Sequence, residues 1–264
     1  MNTSKSRQGF TLVELAIVLV IIGLLVGGVL VGQDLIKAAT IRSTVGDIEK
    51  VNAAATTFRT KYSGIPGDIM SSRAAEYGLL TSTGRTGSAG LGDGNGLIES
   101  CAANTANAVG CETALFWVDL STAALIPQRL STYDSSATIP ATIAASAMGG
   151  YLPKQKLRDT AYLFAYSNAG KNFFFLSAMT QASSLAVPAV AVTGGEARSI
   201  DEKFDDALPT SGVVTSNTAL TTVDAGTTIS SSTCMNGTTT PKVYNVVDAN
   251  INNVNCMLSL RANF

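Results

Sequence analysis

The run from Phe10 to Gly32 constrains this chain more than any other stretch, because Glu14 is its only ionisable residue. As a helix the run spans about 34 Å, enough to cross a hydrocarbon core. A carboxylate there is costly in lipid and calls for a partner. No other ionisable group lies within the run. Residues 1–9 are short and polar, with Lys5 and Arg7 as their charges. Basic charge ahead of a first apolar run keeps that end cytoplasmic and sends the rest outward. Three readings compete. The run is an uncleaved anchor, a conventional signal cut behind it, or a helix cut ahead of it, between Gly9 and Phe10. No small-x-small site follows the run cleanly, which weighs against the second. The third gives Glu14 a partner. A cut at Phe10 leaves an α-amino group at the head of an apolar helix, and beside a neighbouring copy that ammonium can pair with the neighbour's Glu14. Such a pair offsets two desolvation costs, where either charge alone is strongly unfavourable. Otherwise Glu14 snorkels to the headgroups of a monomeric anchor.

Gly9-Phe-Thr-Leu-Val-Glu14, followed by Leu15-Ala-Ile-Val-Leu-Val-Ile-Ile-Gly23, resembles the prepilin signature of type IV pilins and type II secretion pseudopilins. The resemblance implies that a membrane peptidase cuts after Gly9 and that Phe10 becomes the N-methylated first mature residue. It makes Glu14 the assembly determinant that sets the stagger of adjacent subunits. It implies a pilin-like α+β fold, with a long N-terminal helix packed on an antiparallel β-sheet head with short extra helices. The domains expected are a leader (1–9), a transmembrane or filament-core helix (10–32), the amphipathic half of that helix (33–64) and a periplasmic or extracellular head (65–264). Four further blocks resemble one subgroup of prepilin-type proteins: Gly64-Ile-Pro-Gly-Asp68, Gly92-Asp-Gly-Asn-Gly-Leu-Ile98, the Phe116-Trp117 helix, and Ile200 to Asp206 before Pro209-Thr-Ser-Gly-Val213. That subgroup often has Gly after the paired aspartates; this chain has Ala207, which puts a tight turn there in question.

Past Gly32 the apolar pattern becomes one-sided. Ile41, Val45, Ile48, Ala55, Phe58 and Tyr62 recur at helical steps, with one gap from Ile48 to Ala55. This predicts one helix from Phe10 to Tyr62, whose second half packs a stripe on a core. Ser63-Gly-Ile-Pro66 ends it. Glu112 to Ile126 reads as a helix stopped by Pro127, with Leu115, Phe116, Leu120 and Ala123 inward and Trp117 at an edge. Ala161–Tyr166 and Asn172–Ser177 read as a hairpin with Gly170 in its loop, their aromatic residues filling a core. Ala186 to Thr193 is an edge-strand candidate because of Pro188. Glu196 to Asp206 looks helical with Ile200 and Phe204 inward, and Val213-Val214 and Val243 to Val247 read as short strands.

Charge is balanced, with 18 basic and 19 acidic residues, and no basic patch points to nucleic acid as a main ligand. Histidine is absent, which removes the commonest general base and transition-metal ligand. No phosphate loop, nucleophile elbow or zinc spacing appears, so a structural role is expected rather than an enzyme. Cys101, Cys111, Cys234 and Cys256 allow three pairings. In an oxidising compartment the sequence-local solution is Cys101–Cys111 with Cys234–Cys256, against the alternative of four buried thiols. Asp93, Asn95 and Glu99 resemble part of a calcium loop, since alternating oxygen ligands and glycines let a chain curl around a hard cation. A plain Gly/Asn/Asp turn explains the same residues without metal. Asp201, Asp205 and Asp206 read as a solvated helix end paired with Lys203.

The resemblance implies a subunit that is stored in the bacterial inner membrane, single-pass with its N-terminus cytoplasmic. It would then self-associate into a helical periplasmic or cell-surface filament. The partners implied are prepilin peptidase, an inner-membrane platform protein and an assembly ATPase. A minor or tip pilin with an adhesive or substrate-recognition head is the alternative.

Overall fold

The structure, a computed structural model, describes residues 11–79, 85, 87, 91–99, 111–130, 143–178, 181–182, 190–216, 234–236, 241–246 and 253–264. The chain divides into two compact units, Met1–Thr40 and Ile41–Phe264. Helix α1 runs from Leu12 to Tyr62. In the first unit every large apolar side chain from Leu12 to Ile36 is exposed. Among the described residues α1 is the helix long and apolar enough to cross a membrane.

In the second unit α1 buries Thr44, Val45, Ile48, Val51, Ala54, Ala55, Phe58 and Tyr62. Val51 and Ala54 close the gap that the sequence stripe left between Ile48 and Ala55. The helix stops where Ser63 adopts φ 49°. Arg73 then donates to the carbonyls of Tyr62 (2.9 Å) and Ser63 (3.2 Å), satisfying acceptors that a helix C-terminus leaves open. The short α2 (Ser71–Glu76) follows.

Helix α3 spans Cys111–Thr122 rather than reaching Ile126. Ala124, at φ 56°, turns the chain three residues before Pro127, and Leu125 N–H returns to the Leu120 carbonyl (2.9 Å). Trp117 is fully buried, not at an edge. It meets Phe116 edge-on with centroids 4.9 Å apart. The amphipathic reading failed here because α3 is buried continuously from Glu112 to Leu120, so no face is left for an edge residue.

Strand β1 (Ile143–Ala144) pairs with β4 (Gln181–Ala182), with β2 (Ala161–Asn168) and β3 (Lys171–Ala178) between them in sequence. Further on come β5 (Val192–Thr193), α4 (Gly194–Phe204), β6 (Val214–Thr215), β7 (Val254–Cys256) and β8 (Leu258–Arg261). The hairpin β2–β3 turns on Ala169 (φ 48°) and Gly170 (φ 72°). Two successive left-handed residues give the type I′ twist that a two-residue hairpin favours. The main sheet is antiparallel in the order β2-β3-β8-β6, and β5 pairs separately with β7. Its register puts Leu163, Phe174, Leu176, Leu258, Leu260 and Val214 on one face. On that side Phe174 lies within 5.9 Å of Phe116 and 5.7 Å of Phe264, ring centre to ring centre. The opposite face carries Tyr162, Phe164, Tyr166 and Phe175, also buried. The result is an α+β, pilin-like head built on the second half of α1.

Candidate assembly segment and buried carboxylate cluster

Thr11 and Glu14 open α1 as a reciprocal pair. Thr11 N–H and Thr11 Oγ1 both donate to Glu14 Oε2 at 2.9 Å. Glu14 N–H donates to Thr11 Oγ1 at 3.3 Å. This is a capping box, which satisfies backbone donors that a helix start leaves open. The sequence reading held that the run offered Glu14 no partner. Thr11 is one, and Thr11-Leu-Val-Glu14 carries the signal as a Thr-x-x-Glu pattern. Both bonds end on Oε2; among the described residues Oε1 accepts none. One carboxylate oxygen therefore orders the helix start. Gly9 and Phe10 lie outside the described residues.

A second polar constellation sits where Ile65–Asp68, the Gly-rich segment 91–99 and the start of α3 meet. Asp68 Oδ1 and Oδ2 accept from Gly94 and Gly96 N–H, each at 2.7 Å. Glu112 Oε1 accepts from Gly92 N–H (2.6 Å) and Oε2 from Glu99 N–H (2.8 Å). The glycines are required here. Gly92 has φ +71°, and a Cβ on it would lie 2.7 Å from the Ile69 carbonyl oxygen. Beneath them Arg85 pairs with Asp119, both side chains fully buried. Arg85 also donates to the carbonyls of Gly67 (3.2 Å) and Ile69 (2.8 Å), while Gly67 N–H donates to Asp119 Oδ2 at 2.7 Å.

Oxygens of Asp68, Asp93 and Glu112 converge to within 4.8 Å of one another. Burial pushes the Glu112 carboxyl up to about 8, against two N–H donors that favour its ionised form. Burial likewise pushes Asp68 up to about 6. The sequence had grouped Asp93 with Asn95 and Glu99. Asn95 instead donates its amide to Asp93 Oδ2 (3.1 Å) and Glu99 Oε2 (2.9 Å), and its Oδ1 accepts from Leu97 N–H at 2.7 Å. Asp68 and Glu112 are thus the carboxylates that could join Asp93 on a cation. Sequence spacing hid them, since they lie 25 residues before and 19 after it.

The third acidic group is a solvated helix end only in part, with Asp205 and Asp206 exposed. Asp201 is fully buried and accepts from Tyr244 OH at 2.7 Å and from Ala207 N–H at 3.2 Å. Lys203 forms no ion pair with it among the described residues. Asp205 Oδ2 accepts from Val213 and Val214 N–H, so these carboxylates tie the end of α4 to β6. The tight turn exists despite Ala207, which adopts φ 58°. Nearby, Cys234 and Cys256 form a disulfide. The other expected bridge involves Cys101, outside the described residues.

Residues 4–30 match the prokaryotic N-terminal methylation motif. No curated protein and no solved structure matches the chain.

Proposed function

We infer that this chain, a member of the type IV pilin and pseudopilin family by its N-terminal methylation motif, is a structural subunit of a type IV pilus-like or type II secretion pseudopilus filament. The observation that carries this is an apolar helix exposed from Leu12 to Val31, opened by a carboxylate whose Oε1 accepts no hydrogen bond among the described residues. A helix apolar on every face needs lipid or other apolar helices around it, and a filament core of like helices supplies the second. Prepilin peptidase cuts between Gly9 and Phe10, and the methylated amine of Phe10 in one copy pairs with Glu14 of the next. The chain waits in the inner membrane with its head outward. A platform protein and an assembly ATPase then draw it into the filament. No catalytic step is assigned to the head.

The test has two parts. Mass spectrometry of the mature chain is expected to find an N-terminus at methylated Phe10; a mature chain still beginning at Met1 defeats the processing step. Glu14→Ala is expected to leave membrane insertion intact and to abolish efficient assembly. Normal filament yield from that variant sinks the pairing. The compact unit from Ile41 to Phe264 is large, which favours a second reading as a minor or tip subunit with a recognition head. Immunogold labelling confined to tips supports that reading, and labelling along shafts removes it. Calcium is also proposed for the Asp93 loop, now with Asp68 and Glu112 as its carboxylate partners. A calcium-dependent rise in the unfolding midpoint, lost in Glu112→Gln, is the expected outcome.

A further inference from the structure

At the end of α4, Asp201, Asp205 and Asp206 each bring a carboxylate oxygen within 4.8 Å of the other two. Their surroundings differ. Asp206 is exposed, its Oδ1 accepting from Leu208 N–H (2.9 Å) and its Oδ2 from Ser211 Oγ (2.6 Å). Asp205 is held in a nest of backbone donors, Asp206 N–H on Oδ1 (2.9 Å) and the Val213 and Val214 N–H groups on Oδ2. Gly212, at φ +83°, lets the chain wrap that closely, since a Cβ there would overlap Asp205 Oδ2. Asp201 is fully buried. Tyr244 OH and Ala207 N–H reach its two oxygens, and among the described residues no ammonium or guanidinium pairs with it.

A buried carboxyl beside a charged one, with no cation at hand, keeps its proton. Asp205 is the better anion, because three N–H groups face it, and Asp201 the better acid, because it is buried. Burial and then the hydrogen bond to Asp205 push the Asp201 carboxyl up to about 8, against the Tyr244 bond. Burial also opposes charge on Asp205, but the Asp201 bond and the N–H donors outweigh it and hold that carboxyl below its ordinary value. Burial and the Asp201 bond push the Tyr244 hydroxyl up, so it stays a donor as the pH rises. The strands packed on α4 are β5, β6 and β7. They bring no further titrating side chain, since Cys256 is in the disulfide. The proton thus has a mechanical consequence. Asp205 holds Val213 and Val214, and Val214 opens β6, at the edge of the main sheet. Asp201 holds Tyr244, which lies between the bridged Cys234 and Cys256. A second charge on Asp201 would set two carboxylates against each other where these segments meet.

We propose that Asp201 and Asp205 form a proton-operated latch, which clamps the end of α4 to β6 and to the Tyr244 segment while the two carboxyls share one proton, and which releases β6 when hydroxide removes it. The folded corner holds a proton that the unfolded chain has released, so the clamp is complete in acid and is lost as the pH rises into the alkaline range. The latch belongs to the head alone and does not depend on the filament reading. The test is hydrogen exchange followed by mass spectrometry on the full-length chain in detergent micelles with a chelator, from about pH 6 to about pH 9.5, each rate divided by the intrinsic rate at that pH. The peptide containing Val213 and Val214 is expected to lose protection by up to about tenfold per pH unit above about pH 8. Asp201→Asn, whose amide can donate to Asp205 without titrating, is expected to stay protected throughout, and Glu112→Gln to keep the parent slope. A flat parent profile overturns the latch. So does an unchanged slope in Asp201→Asn, or a slope that Glu112→Gln removes, because the opening is then that of the whole head. Carbon-13 NMR of the parent chain, labelled at its aspartate carboxyls, is the second measurement and needs no variant. One carboxyl is expected to titrate at about pH 8, and the lack of any such titration overturns the proposal.

Discussion

Arg85 and Asp119 form an ion pair with neither side chain exposed to solvent. The pair ties Arg85 and the segment 67–69 to α3, since Arg85 also donates to the Gly67 and Ile69 carbonyls and Gly67 N–H donates to Asp119. Removing one partner of such a pair strands the other charge in the core. Arg85→Met is therefore expected to cost about 3–5 kcal/mol. Arg85→Met with Asp119→Leu is expected to recover much of that loss. The chain has one tryptophan, the buried Trp117, so urea titrations followed by its fluorescence report the head directly. A single variant as stable as the parent contradicts the prediction.

Stability is expected to fall with rising pH across the neutral range. Glu112 has an ordinary value of 4.5 and is pushed to about 8 by burial. Between those values the folded chain holds a proton that the unfolded chain has released. Its contribution is complete below about 4.5 and is lost as pH rises through about 8, by at most about 1.4 kcal/mol per pH unit for one proton. Asp201, pushed to about 8 by burial and then by the Asp205 carboxyl, acts with the same sign. In calcium-free buffer the urea midpoint is expected to drop between pH 5 and pH 8.5, and Glu112→Gln to remove part of the slope. A flat or rising wild-type profile refutes the assignment.

The parts legible in sequence were those written in local periodicity. The end of α1 at Tyr62, the β2–β3 hairpin and the Ile200 face of α4 all repeat within a few residues. The strands β7 and β8 were missed. Leu258-Ser-Leu-Arg261 is too short to show alternation, yet β8 sits inside the main sheet, between β3 and β6. Its place comes from pairing with residues far away in sequence. The carboxylate cluster was half legible for the same reason. Asp93 sits in a recognisable loop, while Asp68 and Glu112 reach it only through the fold. The capping role of Glu14 is local, carried by Thr11 three residues before it in a Thr-x-x-Glu pattern.

The disulfide between Cys234 and Cys256 closes a loop with a sequence separation of 22. It holds the residues leading into β8 against the segment around Tyr244, where Asn245 N–H donates to the Cys234 carbonyl at 2.7 Å. Loop entropy for that length is about 3 kcal/mol, a model-dependent figure. Replacing Cys234 and Cys256 together with Ser is expected to lower head stability by about that amount, without changing membrane insertion of α1. A fluorescence-monitored urea midpoint unchanged by the double replacement shows that the bridge adds nothing to the fold.

Ala207 is one position where a substitution should stabilise the head. It follows Asp205 and Asp206 at the end of α4 and adopts φ 58°. That left-handed conformation costs an L-residue roughly 1–2 kcal/mol. Its N–H nevertheless donates to the buried Asp201 carboxylate (3.2 Å), so the turn is held by its bonds and not by its side chain. Glycine adopts the same backbone without a Cβ clash, although it loses more entropy on folding, roughly 0.5–1 kcal/mol. The difference favours Ala207→Gly by up to about 1 kcal/mol. The expected result is a higher urea midpoint with the m-value unchanged, because the exposed surface stays the same. Ala207→Val is expected to move the midpoint the other way, since a β-branched side chain fits that region worst. If glycine lowers the midpoint, the strain at this turn is not stored in the backbone of residue 207.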